Sequence, residues 1–264
     1  MDIRSYIFNR KNDMRTFVDS LETLPHLVII QVNDDPASNA YVRGKIKDGD
    51  EIGVKVTLDK MDINTTQEEL LERINKYNND DQYHGLIVQM PLPKHINEEI
   101  IKLAVNPKKD VDGFHPLTKF DACTPKGIIK YLEHEGVEFA GKNAVVIGRS
   151  NIVGKPMAKL LLNKNCNIVQ LHSKTSNEDM RFYLEHADII VVAVGRKHFL
   201  NNTYKLKETA VLVDVGINRD EAGLHGDIEP NLNVKIQTPV PGGVGLLTRL
   251  TLLENLLEAY KNGI

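Results

Sequence analysis

The sequence predicts an α/β fold made of two α/β domains, each a parallel sheet covered by helices, flanking a cleft. Three observations predict it. Apolar runs of strand length alternate with helical patterns from His26 onward, the signature of strands joined by covering helices. The 264 residues hold one large domain or two modest ones, each able to bury a core. The alternation breaks once, over residues 106–125, where three prolines and a Val-Asp-Gly leave little periodicity, as in a functional loop or a crossing between domains.

The elements follow in order. Residues 26–32 (HLVIIQV) form a buried strand, and Asp35-Pro36 starts a helix, with Asp as N-cap and Pro at the first helical position. That helix runs to about Gly53. Strands at 54–58 and 85–90 are separated by a helix over 67–77, and 97–104 makes a further short helix. Beyond the break, strands fall at 143–147, 167–172, 188–194, 210–215 and 235–237, with helices between most of them. A last helix, about 247–261, follows the Pro- and Gly-rich turn 238–245. The domains are therefore expected at 1–124 plus the C-terminal helix 247–264, and at 125–246. No internal repeat or low-complexity tract interrupts the chain.

With 41% apolar residues, 26% charged residues and a net charge of −3, the composition is that of a soluble globular protein. Bases are interspersed with acids, so no nucleic-acid partner is expected. No apolar run approaches the roughly 20 residues that span a bilayer, and residues 1–4 open no stretch of signal-peptide length. A cytoplasmic protein without membrane contact is expected. Cys123 and Cys166 lack metal-ligand spacing and read as reduced, structural thiols, so no metal is expected.

The most readable chemistry lies at 145–154, where strand residues Val145-Val146-Ile147 turn through Gly148 toward a helix. Gly148 allows a tight turn, and amides at a helix start can meet a pyrophosphate, aided by the helix dipole. Arg149 and Ser150 follow directly. The spacing from Gly148 to Gly154 departs from the usual G-x-G-x-x-G, so a tight turn that binds nothing is the other reading. The next strand ends in His172-Ser173-Lys174-Thr175, without the acid that usually holds ribose hydroxyls in an NAD site. Arg149 and Ser173 can instead meet a 2′-phosphate, which favours NADP over NAD; Lys174 reads as a surface lysine.

The first half carries a second constellation. Tyr41 and Lys45 are four residues apart, so on a helix they share a face, a hydroxyl beside an ammonium that can handle protons. The competing reading is an amphipathic helix with a half-buried tyrosine and a solvated lysine. Gln89 is a polar side chain at the carboxyl end of an apolar strand, where open α/β sheets place ligands. Asp112 can take two hydrogen bonds from an amino-heterocycle, or belong to an Asp-Gly turn, a role that suits Asp110 better although the sequence alone does not separate the two. The turn at 239–245 lets backbone approach a flat ligand, or serves as a hinge.

Six runs occur in order: Asp-Pro-Ala-Ser-x-x-Tyr-Val-x-x-Lys, Gly-Leu-Ile-Val-Gln-Met-Pro-Leu-Pro, Lys-Asp-Val-Asp-Gly-Phe, Cys-Thr-Pro-Lys-Gly, Gly-Arg-Ser-Asn-Ile-Val-Gly-Lys-Pro and Thr-Pro-Val-Pro-Gly-Gly-Val-Gly. Together they closely resemble the bifunctional methylenetetrahydrofolate dehydrogenase/methenyltetrahydrofolate cyclohydrolase family, from about residue 26 to the end. The resemblance implies a Rossmann-type NADP domain, tetrahydrofolate one-carbon derivatives as substrates, and a homodimer. It implies Lys45, Tyr41 and Gln89 as catalytic residues, and Tyr41, Gln89, Asp112, Pro241, Gly242 and Gly243 as folate-binding, with Asp112 on the pterin. For the cofactor it implies Gly148, Arg149, Ser150, Ser173 and Ile217. The chain departs from the family pattern in a shorter stretch before His26, a shorter segment between Asp112 and Thr124, Asn33 for a usual glycine, and Leu246 for a usual proline. Another two-domain dehydrogenase, of shikimate or amino-acid type, would share the dinucleotide half but give no reason for Tyr41, Gln89 and Asp112 together. In the mechanism implied, hydride transfer needs positioning, whereas the hydrolysis needs proton transfer. Lys45, shifted toward neutrality, is the expected proton carrier.

Overall fold

A computed structural model describes residues 2–263. The chain divides into two compact units, one of Ile7–Cys123 with Arg249–Ile264 and the other of Met1–Tyr6 with Thr124–Thr248. The elements in order are α1 (Ile3–Asp19), β1 (His26–Gln31), α2 (Pro36–Ile52), β2 (Lys55–Lys60), α3 (Gln67–Asn78), β3 (Gly85–Val88), α4 (Glu98–Ala104) and α5 (Cys123–His134). There follow β4 (Asn143–Ile147), α6 (Gly154–Asn163), β5 (Asn167–Leu171), α7 (Asn177–His186), β6 (Ile189–Val192) and β7 (Val211–Asp214). The last are β8 (Asn218–Asp220), β9 (Gly223–His225), β10 (Ile236–Gln237) and α8 (Val244–Lys261).

In the Ile7–Cys123 unit, β1 lies between β2 and β3, and both pairings are parallel. All six residues of β1 are buried, which is why its middle, Leu27 to Ile30, is a continuous apolar run rather than an alternating one. Val28, Ile30, Leu86 and Val88 meet Leu70 and Ile74 of α3 in one core. Asp35 caps α2 by accepting from Ser38 N at 2.7 Å, with Pro36 opening the helix, and Gly53 ends it in the left-handed region at φ 81°. Thr66 and Glu69 form a capping box that starts α3.

An ion cluster braces α2. Asp48, only 5% exposed, accepts from Lys11 Nζ of α1 and Arg249 Nε of α8, both at 2.6 Å. Removing the buried carboxylate takes this partner from Arg249 and leaves Lys11 only Glu51, at 2.5 Å. Asp48→Ala is therefore expected to cost about 3 kcal/mol, the lower end for a broken buried pair because Lys11 and Arg249 keep some solvent. A urea midpoint equal to that of the unsubstituted protein would show that the cluster contributes nothing.

In the other unit all strands of the five-stranded sheet are parallel, in the order β10-β7-β6-β4-β5. The chain runs outward from β4 to β5 on one side and through β6, β7 and β10 on the other, so the strand order reverses between β4 and β6. That is the topological switch point, where doubly wound sheets leave a crevice at the carboxyl ends of their strands.

The structure differs from the sequence expectations in several places. The helix α1 precedes the first expected element. The expected loop 106–125 stops at Ala122, because α5 begins at Cys123 and takes Pro125 into its first turn, where a missing N–H costs nothing. The turn at Gly148 does not enter a helix directly, since α6 starts only at Gly154. The hairpin β8–β9 was not expected, and α8 begins at Val244 and so takes in the end of the Pro-Gly turn. Strand β3 stops at Val88, which leaves Gln89 just past its end.

Candidate active site

Lys45 lies in the third turn of α2 and is 5% exposed. Its Nζ donates to Gln89 Oε1 at 3.0 Å and stands 5.1 Å from the centroid of the Tyr41 ring. The helical spacing thus places tyrosine and lysine on one face, and the solvated-lysine alternative does not describe the structure. Gln89 is itself fixed. Its backbone N donates to Ile30 O of β1, and its Nε2 donates to Met90 O at 2.7 Å, so its carbonyl oxygen is the end turned to the amine. Asn33 completes the frame by donating to Pro91 O at 2.7 Å while its Oδ1 accepts from Gln31 Nε2 at 3.3 Å. A side chain at the position of the usual glycine thereby ties the carboxyl ends of β1 and β3 together.

Burial pushes the Lys45 amine below the ordinary lysine range; Asp112 and Cys123 oppose that shift, and Arg249 adds to it. Burial likewise raises the Asp112 carboxyl, against the lowering effects of Lys45 and Cys123. For both partners desolvation outweighs mutual attraction, which favours their neutral forms. The two aspartates of the Asp-Val-Asp run separate clearly. Asp110 accepts from the backbone N–H groups of Gly113, Phe114 and His115 at 2.7–3.2 Å, so it holds the turn, and burial pushes it up to about 6. Asp112 faces Lys45 electrostatically and borders a small depression with Met90 and Phe114.

Two neighbours were not assigned to the site from the sequence. Cys123, 2% exposed, donates from Sγ to Val111 O at 3.2 Å. Ser38, three residues before Tyr41 on α2, buries a hydroxyl oxygen without a hydrogen-bond partner among the described residues. The Asp-Pro-Ala-Ser run contained that signal.

At the other sheet, Gly148 directly follows β4 with φ 121°, and a Cβ there would stand 2.3 Å from Ala193 O; only glycine fits. Ser150 Oγ accepts from Val153 N and Gly154 N at 3.2 Å each, which organises the turn before α6. Arg149, Ser150 and Ser173 are exposed, and Ile217 beyond the end of β7 is 62% exposed. No acid stands among His172, Ser173 and Lys174; His172 Nδ1 accepts from Lys174 N at 3.2 Å. The cradle at Gly148 thus fits a phosphate-bearing dinucleotide, and the end of β5 does not repel a 2′-phosphate. In the Pro-Gly turn Pro241 is exposed, Gly243 is buried, and Gly242 has φ 94°. Among the described residues no group of three or more His, Cys, Asp or Glu could hold a metal ion, and no helix is long and apolar enough to cross a membrane.

A parallel sheet with a glycine cradle at its switch point, accompanied by a unit that buries a lysine against a glutamine, defines the class of dinucleotide-dependent α/β dehydrogenases with a separate substrate unit. Comparison with known proteins makes this specific. Residues 3–112 match the family described as tetrahydrofolate dehydrogenase/cyclohydrolase, catalytic domain, and residues 122–264 match its NAD(P)-binding domain. The chain belongs to the tetrahydrofolate dehydrogenase/cyclohydrolase family. It is 46% identical over 250 residues to the bifunctional protein FolD of Bacillus pumilus, covering 90% of this chain and 87% of that protein. The structure of the bifunctional methylenetetrahydrofolate dehydrogenase/cyclohydrolase FolD from Campylobacter jejuni superposes with a TM-score of 0.93 at 39% identity, over 98% of this chain and 97% of that one. The Trypanosoma brucei enzyme, complexed with NADP cofactor and inhibitor, gives a TM-score of 0.93 at 30% identity, over 99% and 97% of the two chains.

Proposed function

We propose that this protein oxidises 5,10-methylenetetrahydrofolate to 5,10-methenyltetrahydrofolate with NADP and hydrolyses the product to 10-formyltetrahydrofolate. The buried Lys45–Gln89 pair is the observation that carries this reading, because a desolvated amine held by an amide oxygen is a proton carrier and not a surface charge. We assign Asp112 to the pterin ring, Tyr41 and Gln89 to shaping the substrate site, and Pro241, Gly242 and Gly243 to backbone contact with the folate. Gly148, Arg149, Ser150, Ser173 and Ile217 are assigned to NADP. NADP, when bound, supplies the hydride acceptor.

In the oxidation the bridging carbon of the folate loses hydride, and the lone pairs of N5 and N10 stabilise the resulting cation, so the protein contributes position rather than acid or base. In the hydrolysis, water adds to the methenyl carbon and gives up a proton to Lys45 Nζ. Returning that proton to N5, while the remaining hydroxyl proton is released to solvent, lets the carbon–N5 bond break and leaves the formyl C=O on N10. Gln89 orients the amine throughout. The bound cation and the burial of Lys45 both disfavour an ammonium, so the amine is ready to accept.

The chain is further assigned to the cytoplasm and to a homodimer, on its composition and its family. The deciding assay follows absorbance after mixing the protein with methylenetetrahydrofolate and either NADP or NAD. No turnover with either would reject the reading in favour of binding alone. NADP is expected to be the better cofactor, and Arg149→Ala should weaken NADP by roughly tenfold, the value of one charge-assisted contact, while leaving NAD nearly unchanged. A wild-type preference for NAD would overturn the assignment of residues 148–175.

A further inference from the structure

The wall opposite Gly148 at the switch point is the segment that follows β6, Ala193 to Arg196, and it is held by a side chain that no part of the proposed reaction uses. Asp227 is 0% exposed. Its Oδ2 accepts from Val194 N at 2.7 Å and Gly195 N at 2.9 Å, and its Oδ1 accepts from Arg196 N at 2.7 Å and Asn218 Nδ2 at 3.0 Å. Three consecutive backbone donors on one carboxylate is an arrangement otherwise used to bind anions; here a residue of the chain fills it.

A second buried acid stands behind the first. Asp214, the last residue of β7 and 3% exposed, accepts from Gly216 N, Asp227 N and Ile228 N at 2.9–3.0 Å, while its own N donates to Thr238 Oγ1. Two glycines make room for the pair. A Cβ at Gly226 would lie 1.8 Å from Asp214 Oδ2, and one at Gly216 would lie 2.1 Å from Asp227 Cγ. Two buried carboxylates so close are costly to desolvate, and burial pushes Asp214 up to about 6. The six backbone donors they satisfy offset that cost, and four of those donors belong to segments beyond β6 and β7, at the carboxyl edge of the sheet.

We infer that Asp227, backed by Asp214, is a positioning residue that sets the segment 193–196 as the second wall of the dinucleotide crevice. This rests on the assignment of the crevice to NADP. The carboxylate fixes three amides before any ligand arrives, so the ordering cost is met on folding rather than on binding.

Asp227→Asn keeps the size of the side chain but sets an NH2 group against N–H donors. In that variant the KM and Kd for NADP are expected to rise about tenfold or more, with kcat at saturating NADP changed less and hydrolysis of supplied methenyltetrahydrofolate kept within about twofold. A parallel fall of both activities would mean a merely structural role, and an unchanged KM for NADP would remove Asp227 from the cofactor site; either result overturns the inference. Failure of the unsubstituted protein to use NADP would instead remove the functional reading on which it rests. Should the variant not fold, hydrogen exchange on the unsubstituted protein decides. The amides of Val194, Gly195 and Arg196 are expected to exchange slowly without cofactor and to slow little further with NADP. Fast exchange in the free protein, quenched by NADP, would show that the cofactor and not Asp227 sets the segment.

Discussion

Lys45→Met is expected to yield a protein that makes methenyltetrahydrofolate and then fails to hydrolyse it. Methionine nearly matches the length and apolar stem of lysine, so the buried position between Tyr41 and Gln89 stays filled, but the thioether carries no proton. The loss in hydrolysis should be on the order of 10²- to 10⁴-fold, the contribution of one positioned acid–base group. Oxidation should fall much less, because hydride leaves without proton transfer. With NADP present the methenyl species should accumulate and persist. The pH profile gives an independent check. Burial holds the Lys45 amine below the ordinary lysine range, and the neutral form is the one assigned to accept the proton, so the hydrolytic rate should climb with pH through that lowered value. Lys45→Met should lose this limb. Hydrolysis at close to the unsubstituted rate would return Lys45 to a purely structural place in α2.

Asp112→Ala should weaken folate binding by about 1.5–3 kcal/mol, roughly 10- to 150-fold, while NADP affinity is kept. The carboxylate is assigned to the amino-heterocycle, and its loss leaves ring N–H groups without partners. Asp110→Ala is the matched comparison. Asp110 spends its oxygens on the amides of Gly113, Phe114 and His115, so its loss should appear first as a lower melting temperature. Equal folate affinity in Asp112→Ala and the parent would place Asp112 in the turn as well.

How far the sequence carries depends on how local each signal is. Strands β1 and β4 and helix α2 are legible because a buried parallel strand must be apolar throughout and an Asp-Pro start fixes a helix end. Tyr41 and Lys45 are legible as a pair because four residues on a helix bring side chains together. Asp110 and Asp112 are not separable by any local rule, since both precede the same glycine; three amide donors decide between them. Helix α1 escapes notice because Ile3, Tyr6, Ile7, Met14 and Val18 are its buried residues, spread among charged ones with a wide gap. The hairpin β8–β9 has three residues per strand and little apolar content. Asp214 ends an apolar run but Asp227 follows His225-Gly226, with no spacing that announces a buried pair, and Cys123 and Arg249 reach the surroundings of Lys45 from far along the chain.

That last distance bears on the order in which the molecule can be completed at the ribosome. The Ile7–Cys123 unit is translated almost wholly before the other, yet it closes only with the final segment of the chain. Arg249 neutralises Asp48, Asn255 Nδ2 donates to Val111 O at 2.8 Å, and Leu256 lies close enough to Gly85 that a Cβ there would be 2.9 Å from it. Until α8 emerges, Asp48 keeps only Lys11 on its buried carboxylate and β3 lacks its cover at Gly85. Residues 124–248, by contrast, are contiguous in translation and can form their five-stranded sheet as they appear. The unit encoded first is therefore finished last: in a nascent chain stalled before Arg249 the five-stranded sheet would be formed while the Ile7–Cys123 unit still lacked its closing helix.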